Sequence, residues 1–145
     1  MDELPGTDEL AAALRVSIGL LVRRLRQTRA EDELTLSESS ALARLDRDGP
    51  TTAGALAKLE QITPQSMGAT LGALEARALV QRAGDPQDGR RVVLSVTDRG
   101  RQLLRSRRHA RTEALARALA TGFTRTELQQ LLAAAPLLER LAQSI

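Results

Sequence analysis

The sequence predicts a mostly α-helical fold carrying one small β-hairpin, and three observations support this. Apolar residues recur at spacings of three and four over most of the chain, which draws single stripes along helices. A threonine stands ahead of helical runs at Thr35, Thr52, Thr63, Thr97 and Thr124, where its hydroxyl can satisfy free backbone N–H groups. Only Val80 to Val96 departs from that rhythm, with short β-branched runs flanking a dense group of turn formers.

The elements follow in order. Leu10, Leu14, Ile18, Leu21 and Leu25 place a first helix over about Asp8 to Thr28, with Arg15, Arg23, Arg26 and Arg29 on much of its remaining surface. Thr35-Leu36-Ser37-Glu38 is a capping box, and the helix it opens ends at Asp48, before Gly49-Pro50. Thr52 caps a short helix from Ala53 to about Glu60. Thr63 caps the next, with Pro64 at its first position and Met67, Leu71, Leu74 and Leu79 facing inward. Two short helices parted by the tight Gln61-Ile62-Thr63 break have helix-turn-helix spacing. Val80 to Ala83 and Val92 to Val96 then form a hairpin with a charged tip, Gly84 to Arg90. Thr97 caps a long helix reaching about Ala120 and ended by Gly122. Thr124 and Glu127 form a second capping box for a last helix to about Ser144, which Pro136 should kink or split.

Composition narrows what this fold can do. The chain has 145 residues, about one domain's worth, and no cysteine, which excludes a disulfide scaffold, a zinc ribbon and a thiol nucleophile. Phe123 is the single aromatic residue, so stacking on single-stranded nucleic acid is excluded as well. No P-loop, Gly-x-Ser-x-Gly elbow or histidine-paired nucleophile is present, and the chain reads as a non-enzyme without a cofactor. His109 and Glu113 together fall short of a zinc set, so no metal is expected. No apolar run is long enough to span a membrane, and the first residues, Met1 to Pro5, are acidic where a signal peptide is basic; the expected location is the cytoplasm.

Charge is informative by position. Arg77 to Arg117 holds eleven arginines against four acids, a balance of +7 in a chain whose total is +3, so the remainder carries −4. Positive charge gathered in one stretch suits a polyanion-facing surface. A helix-turn-helix followed by a charged two-stranded hairpin is a winged helix, a layout fitted to duplex DNA. A helix fits the major groove, and an arginine-tipped arm reaches a minor groove.

These residues resemble the MarR family of transcriptional regulators over essentially the whole chain. The resemblance rests on Leu34-Thr35-Leu36, on Thr63-Pro64-Gln65-Ser66-Met67, and on Leu74 to Val80 leading into the hairpin. It continues through Asp85-Pro86-Gln87-Asp88-Gly89-Arg90-Arg91 and closes on Leu94-Ser95-Val96-Thr97-Asp98-Arg99-Gly100. It implies a winged helix-turn-helix DNA-binding region over 35–97 and helical dimerisation regions over 8–30 and 98–145. Arg90 matches the wing-tip arginine that enters the minor groove, and Asp88 and Arg82 match a pair that holds the wing's shape. Gln65, Ser66 and Thr70 match recognition-helix positions that meet bases and phosphates. Gly68-Ala69 departs from the family, where many relatives carry a larger polar or basic residue; base readout would then lean on the wing and on DNA shape.

Each assignment has a plainer alternative. Arg90 and Arg91 are solvated turn charges if not DNA contacts; Gln65, Ser66 and Thr70 are then ordinary helix surface. Thr52 is a helix cap whether or not it also meets a phosphate. Leucines of the first and last helices exceed what one small domain needs, which independently supports a homodimer and hence a pseudo-palindromic operator. The expected function is a DNA-binding repressor released by a small ligand, whose pocket would be aliphatic and arginine-lined and suited to an organic anion. The effector-binding residues are not identifiable. The rivals are a dimeric helical interaction module that no longer reads DNA and a DNA-binding regulator without an effector.

Overall fold

The computed structural model describes residues 6–28 and 34–145. The acidic Met1 to Pro5 stretch and Arg29 lie outside the described residues. The elements are α1 (Thr7–Gln27), α2 (Leu36–Asp48), α3 (Ala53–Glu60), α4 (Pro64–Ala76), β1 (Val80–Gly84), β2 (Val92–Val96), α5 (Asp98–Gly122) and α6 (Arg125–Gln143). The mostly α fold with a two-stranded hairpin is as expected.

The helix starts form as their sequences dictate. Thr35 Oγ1 accepts from the Glu38 backbone N–H at 3.1 Å, and Thr35 N donates in return to Glu38 Oε2 at 3.3 Å. Thr124 and Glu127 repeat that box at the start of α6. Thr52 caps α3 by accepting from Ala55 N, and Thr63 caps α4 by accepting from Ser66 N with Pro64 at the first position. Such caps stabilise a helix by about 1 kcal/mol each relative to alanine. Gly49 closes α2 at φ 88°, a backbone state that glycine adopts without a Cβ penalty.

Two features differ from expectation. α4 stops at Ala76, so Leu79 is buried beyond the helix rather than on its inward face. α6 is one helix through Pro136, not split there. Leucine, alanine, glutamate and glutamine flank the proline, and these strong helix formers sustain the turns on either side.

The chain divides into two compact units, residues 29–109 and residues 1–28 with 110–145, so that α5 contributes to both. The first unit holds the buried core. Ala41, Leu42 and Leu45 of α2, Leu56 and Ala57 of α3, and Met67, Leu71 and Leu74 of α4 pack with Leu79, Val80, Leu94, Val96 and Leu104. In the other unit, α1 and α6 bury no residue completely, and their apolar stripes stay exposed: Leu132 by 76%, Leu137 by 54% and Leu20 by 51%.

β1 and β2 pair antiparallel with Val80 opposite Val96 and Gly84 opposite Val92. β2 also has a partner on its other edge. Thr51 N donates to Leu94 O at 3.1 Å, and Leu94 N donates to Thr51 O at 2.8 Å. The hairpin is thereby tied to the residue just ahead of the Thr52 cap.

Candidate nucleic-acid interface

α4 is held from one side only. Met67, Leu71 and Leu74 lie at spacings of four and three and are all buried, which leaves Gln65, Ser66, Gly68, Ala69 and Gly72 exposed and Thr70 half-buried. Thr63 donates to the Ser66 hydroxyl oxygen at 2.9 Å, so Ser66 keeps its own hydroxyl proton free to donate outward. A Cβ built on Gly68 or Gly72 meets nothing within 4 Å. Nothing inside the fold therefore requires these glycines, although each weakens a helix by about 0.5–1 kcal/mol relative to alanine. The result is an exposed helix face bare of long side chains in its middle, with Gln65 and Ser66 at its start.

Both ends of α4 turn through left-handed backbone without glycine. Gln61, in the turn of the helix-turn-helix, has φ 55°, and Ile62 N reaches back to Ala57 O at 3.1 Å. Ala78 has φ 57°; Ala78 N bonds Glu75 O at 2.9 Å and Leu79 N bonds Leu74 O at 3.0 Å. This pair of bonds is a Schellman closure, with buried Leu74 and Leu79 providing its apolar contact. Neither left-handed residue is signalled in the sequence, because glycine is the usual cue.

The hairpin tip is organised by two aspartates. Asp85 Oδ1 accepts from Gln87 N at 2.9 Å and Asp88 Oδ1 accepts from Arg90 N at 3.1 Å, each carboxylate bonding the backbone two residues on. Asp85 N to Arg91 O at 2.9 Å and Arg91 N to Asp88 O at 3.0 Å close the loop. Arg90 and Arg91 are exposed, and no ion pair engages either guanidinium among the described residues.

The Arg82–Asp88 pair expected from sequence does not form. Arg82 Nε instead meets Glu75 Oε2 of α4 at 2.6 Å. Arg82 lies opposite Leu94 at mid-strand, whereas Asp88 is spent on its own turn; the carboxylate nearest the strand is the one at the end of α4. Both groups are well exposed, so the pair contributes about 0–1 kcal/mol. Its consequence is geometric, linking the wing to α4.

Behind this surface, α2, α3 and α5 are tied by charge. Arg44 Nε and Ser40 both engage the Glu60 carboxylate, and Asp46 faces Arg108 at 3.4 Å and Arg101 at 3.9 Å. The Ser40 hydrogen bond, followed by Arg44, holds the Glu60 carboxyl below its ordinary range against the opposing effect of desolvation. Arg107 Nη1 donates to Ser39 at 2.8 Å. These arginines of α5 thus brace the fold, whereas Arg90 and Arg91 at the wing tip are exposed and enter no ion pair among the described residues.

Sequence reasoning missed a second role of Thr97 and the part played by Thr51. Thr97 does more than cap α5: its hydroxyl also donates to Ala78 O at 2.6 Å. Thr51 joins β2 from the opposite edge. Glycine three residues after a cap threonine, where a helix former is usual, is the signal that marks the first of these. Among the described residues no helix is long and apolar enough to cross a membrane, and no three metal-binding side chains gather.

Known proteins match this architecture. The sequence pattern of the MarR family matches residues 33–91. An uncharacterized HTH-type transcriptional regulator of Mycobacterium bovis is 40% identical over 129 residues, covering 89% of this chain and 90% of that one. A crystal structure of a transcriptional regulator protein from Pseudomonas aeruginosa superposes with a TM-score of 0.79 at 36% identity, covering 92% and 94% of the two chains. A Staphylococcus aureus MepR variant bound to an oligodeoxyribonucleotide shares the fold at a TM-score of 0.67 and 22% identity, with 99% and 100% covered.

Proposed function

Because the chain belongs to the MarR family of winged helix-turn-helix transcriptional regulators, we propose that it works as a homodimeric repressor on duplex DNA. Its operator is pseudo-palindromic, its compartment is the cytoplasm, and a small organic anion releases it. The observation that supports the DNA reading best is the hairpin tip. Asp85 and Asp88 use their carboxylates on the loop's own backbone, leaving Arg90 and Arg91 projecting without an acidic partner. Arg90 enters the minor groove and Arg91 meets a phosphate. Gln65, Ser66 and Thr70 face the major groove from α4, and Thr52 approaches a phosphate from the start of α3. Asp88 shapes the wing through its turn, and Arg82 anchors the wing to α4 through Glu75. The MepR relative, seen on an oligodeoxyribonucleotide, supports this use of the fold.

The exposed leucines of α1 and α6 support the homodimer, since a monomer rarely leaves so many unburied on two helices. Ligand release has a structural candidate within the first unit. A groove of about 240 Å³ is lined by Arg77, Arg99, Gln102, Ser106, Leu79 and Leu103. Donor side chains around two leucines, with no carboxylate among them, suit a compact organic anion.

A gel shift against the region upstream of the protein's own coding sequence tests the DNA reading. Arg90→Ala should weaken binding by about 1–3 kcal/mol; an unchanged affinity refutes the wing's role. The bare Gly68-Ala69-Gly72 face favours one second reading, a dimeric module that no longer reads DNA. Failure to bind any duplex at low salt would select it.

A further inference from the structure

The start of α5 is locked onto the end of α4 by a small set of atoms. Thr97 Oγ1 donates to Ala78 O at 2.6 Å and accepts from Gly100 N at 3.1 Å, while Thr97 N donates to Leu79 O at 3.0 Å. One residue therefore caps α5 and holds two successive carbonyls of the turn that closes α4. The first of those carbonyls belongs to Ala78, whose left-handed backbone costs an L-residue free energy that the surroundings must offset.

Gly100 completes the arrangement. A Cβ there would lie 2.3 Å from Leu79 O and 2.8 Å from Val96 Cγ1, although every other glycine described has open space at that position. The backbone of α5 is thus pressed directly against the backbone at the root of β1 and the last residue of β2. Arg82 to Glu75 and Thr51 to Leu94 tie the same hairpin to α4 and to the start of α3.

We propose that Thr97 and Gly100 form a clasp that positions the DNA-reading surface. It fixes the recognition helix α4, the wing and the first turns of α5 as one rigid piece, so that Arg90 stands at a set distance from Gln65 and Ser66. Thr97 and Gly100 touch no DNA; they act through Ala78 and Leu79. The hydroxyl of Thr97 is the essential group, since it alone reaches Ala78 O while capping α5. The effect on DNA rests on the DNA-binding function proposed above, whereas the rigidity does not.

The absence of cysteine makes the test clean. Gln87→Cys at the wing and Arg105→Cys on α5 are spin-labelled together, and labelled chains are diluted into unlabelled ones so that only distances within one chain are read. The narrow distance distribution expected for this background and for added Thr97→Ser should broaden with Thr97→Val. In the unlabelled protein, Thr97→Val should lose about tenfold in affinity for a duplex selected from a random pool, the loss expected of one misplaced contact; Thr97→Ser should restore it. Thr97→Ala keeps the backbone bond to Leu79 and serves if the valine variant does not fold. A folded, hydroxyl-free variant with a narrow distribution and full affinity overturns the clasp, as does a serine variant that fails to restore either readout. If the unsubstituted protein binds no duplex, the proposed DNA function falls, and the distance measurement still decides the clasp.

Discussion

The two compact units spend their leucines in opposite ways. In residues 29–109, Leu42, Leu56, Leu71, Leu74 and Leu94 have no measurable exposure, and α2, α3 and α4 pack around the hairpin. In α1 and α6 no residue is fully buried, and leucines such as Leu20, Leu21, Leu132, Leu137 and Leu138 remain exposed. Periodicity in a sequence therefore marks a face that needs a partner without saying whether that partner lies in the same chain. The first unit supplies its own partner, and the second leaves apolar side chains of α1 and α6 exposed.

Identical chemistry should behave differently in the two regions. Leu71→Ala should destabilise the folded chain by about 2–5 kcal/mol through lost burial and a residual cavity. Its thermal midpoint should fall by the same amount at every protein concentration. Replacing Leu138 and Leu141 of α6 together with aspartate should instead halve the mass measured by light scattering, from a dimer to the 15.7 kDa chain. A dimer that survives this double change would show that the α6 face is not the interface.

Smaller effects separate bracing charges from recognition charges. Arg90→Ala should reduce operator affinity while leaving the unfolding free energy within about 0.5 kcal/mol of the parent, as expected of a surface side chain without a structural partner. Glu60 has the opposite profile. Its carboxyl is held low in the folded state, so its contribution is present above the ordinary carboxylate range and is lost as pH falls through the lower folded value. Glu60→Gln should accordingly flatten the acid limb of the stability curve, read by thermal melts between about pH 5 and pH 2.5. Arg82→Ala should cost at most about 1 kcal/mol of stability, because its bond to Glu75 is solvent-exposed.

Much of the fold was legible because its signals are local. A capping box such as Thr35 with Glu38 or Thr124 with Glu127 is a contact three residues long, and the Gly84 to Arg90 tip is a cluster of turn formers. The features that escaped depend on space rather than spacing. Arg82 selects Glu75 because the strand carries it beside the end of α4, and no sequence rule ranks that acid above Asp88. Gln61 and Ala78 take left-handed backbone inside turns closed by the bonds from Ile62 N to Ala57 O and from Leu79 N to Leu74 O, overriding the usual demand for glycine. The exposed middle of α4 was legible as a departure at Gly68-Ala69; the structure adds Gly72 and the finding that nothing in the fold asks for either glycine. Thr97 was readable as a cap, but its second bond exists only because Ala78 comes to meet it.

The most direct test is a salt titration of duplex binding followed by fluorescence anisotropy, with the parent protein and Arg90→Ala compared on one selected duplex. The proposed function predicts that the logarithm of affinity falls linearly with the logarithm of salt concentration for the parent, as phosphate contacts release counterions. Arg90→Ala should bind more weakly, with a shallower slope if its guanidinium also neutralises phosphate. No binding to duplex at low salt, or an affinity indifferent to both salt and Arg90, would contradict it.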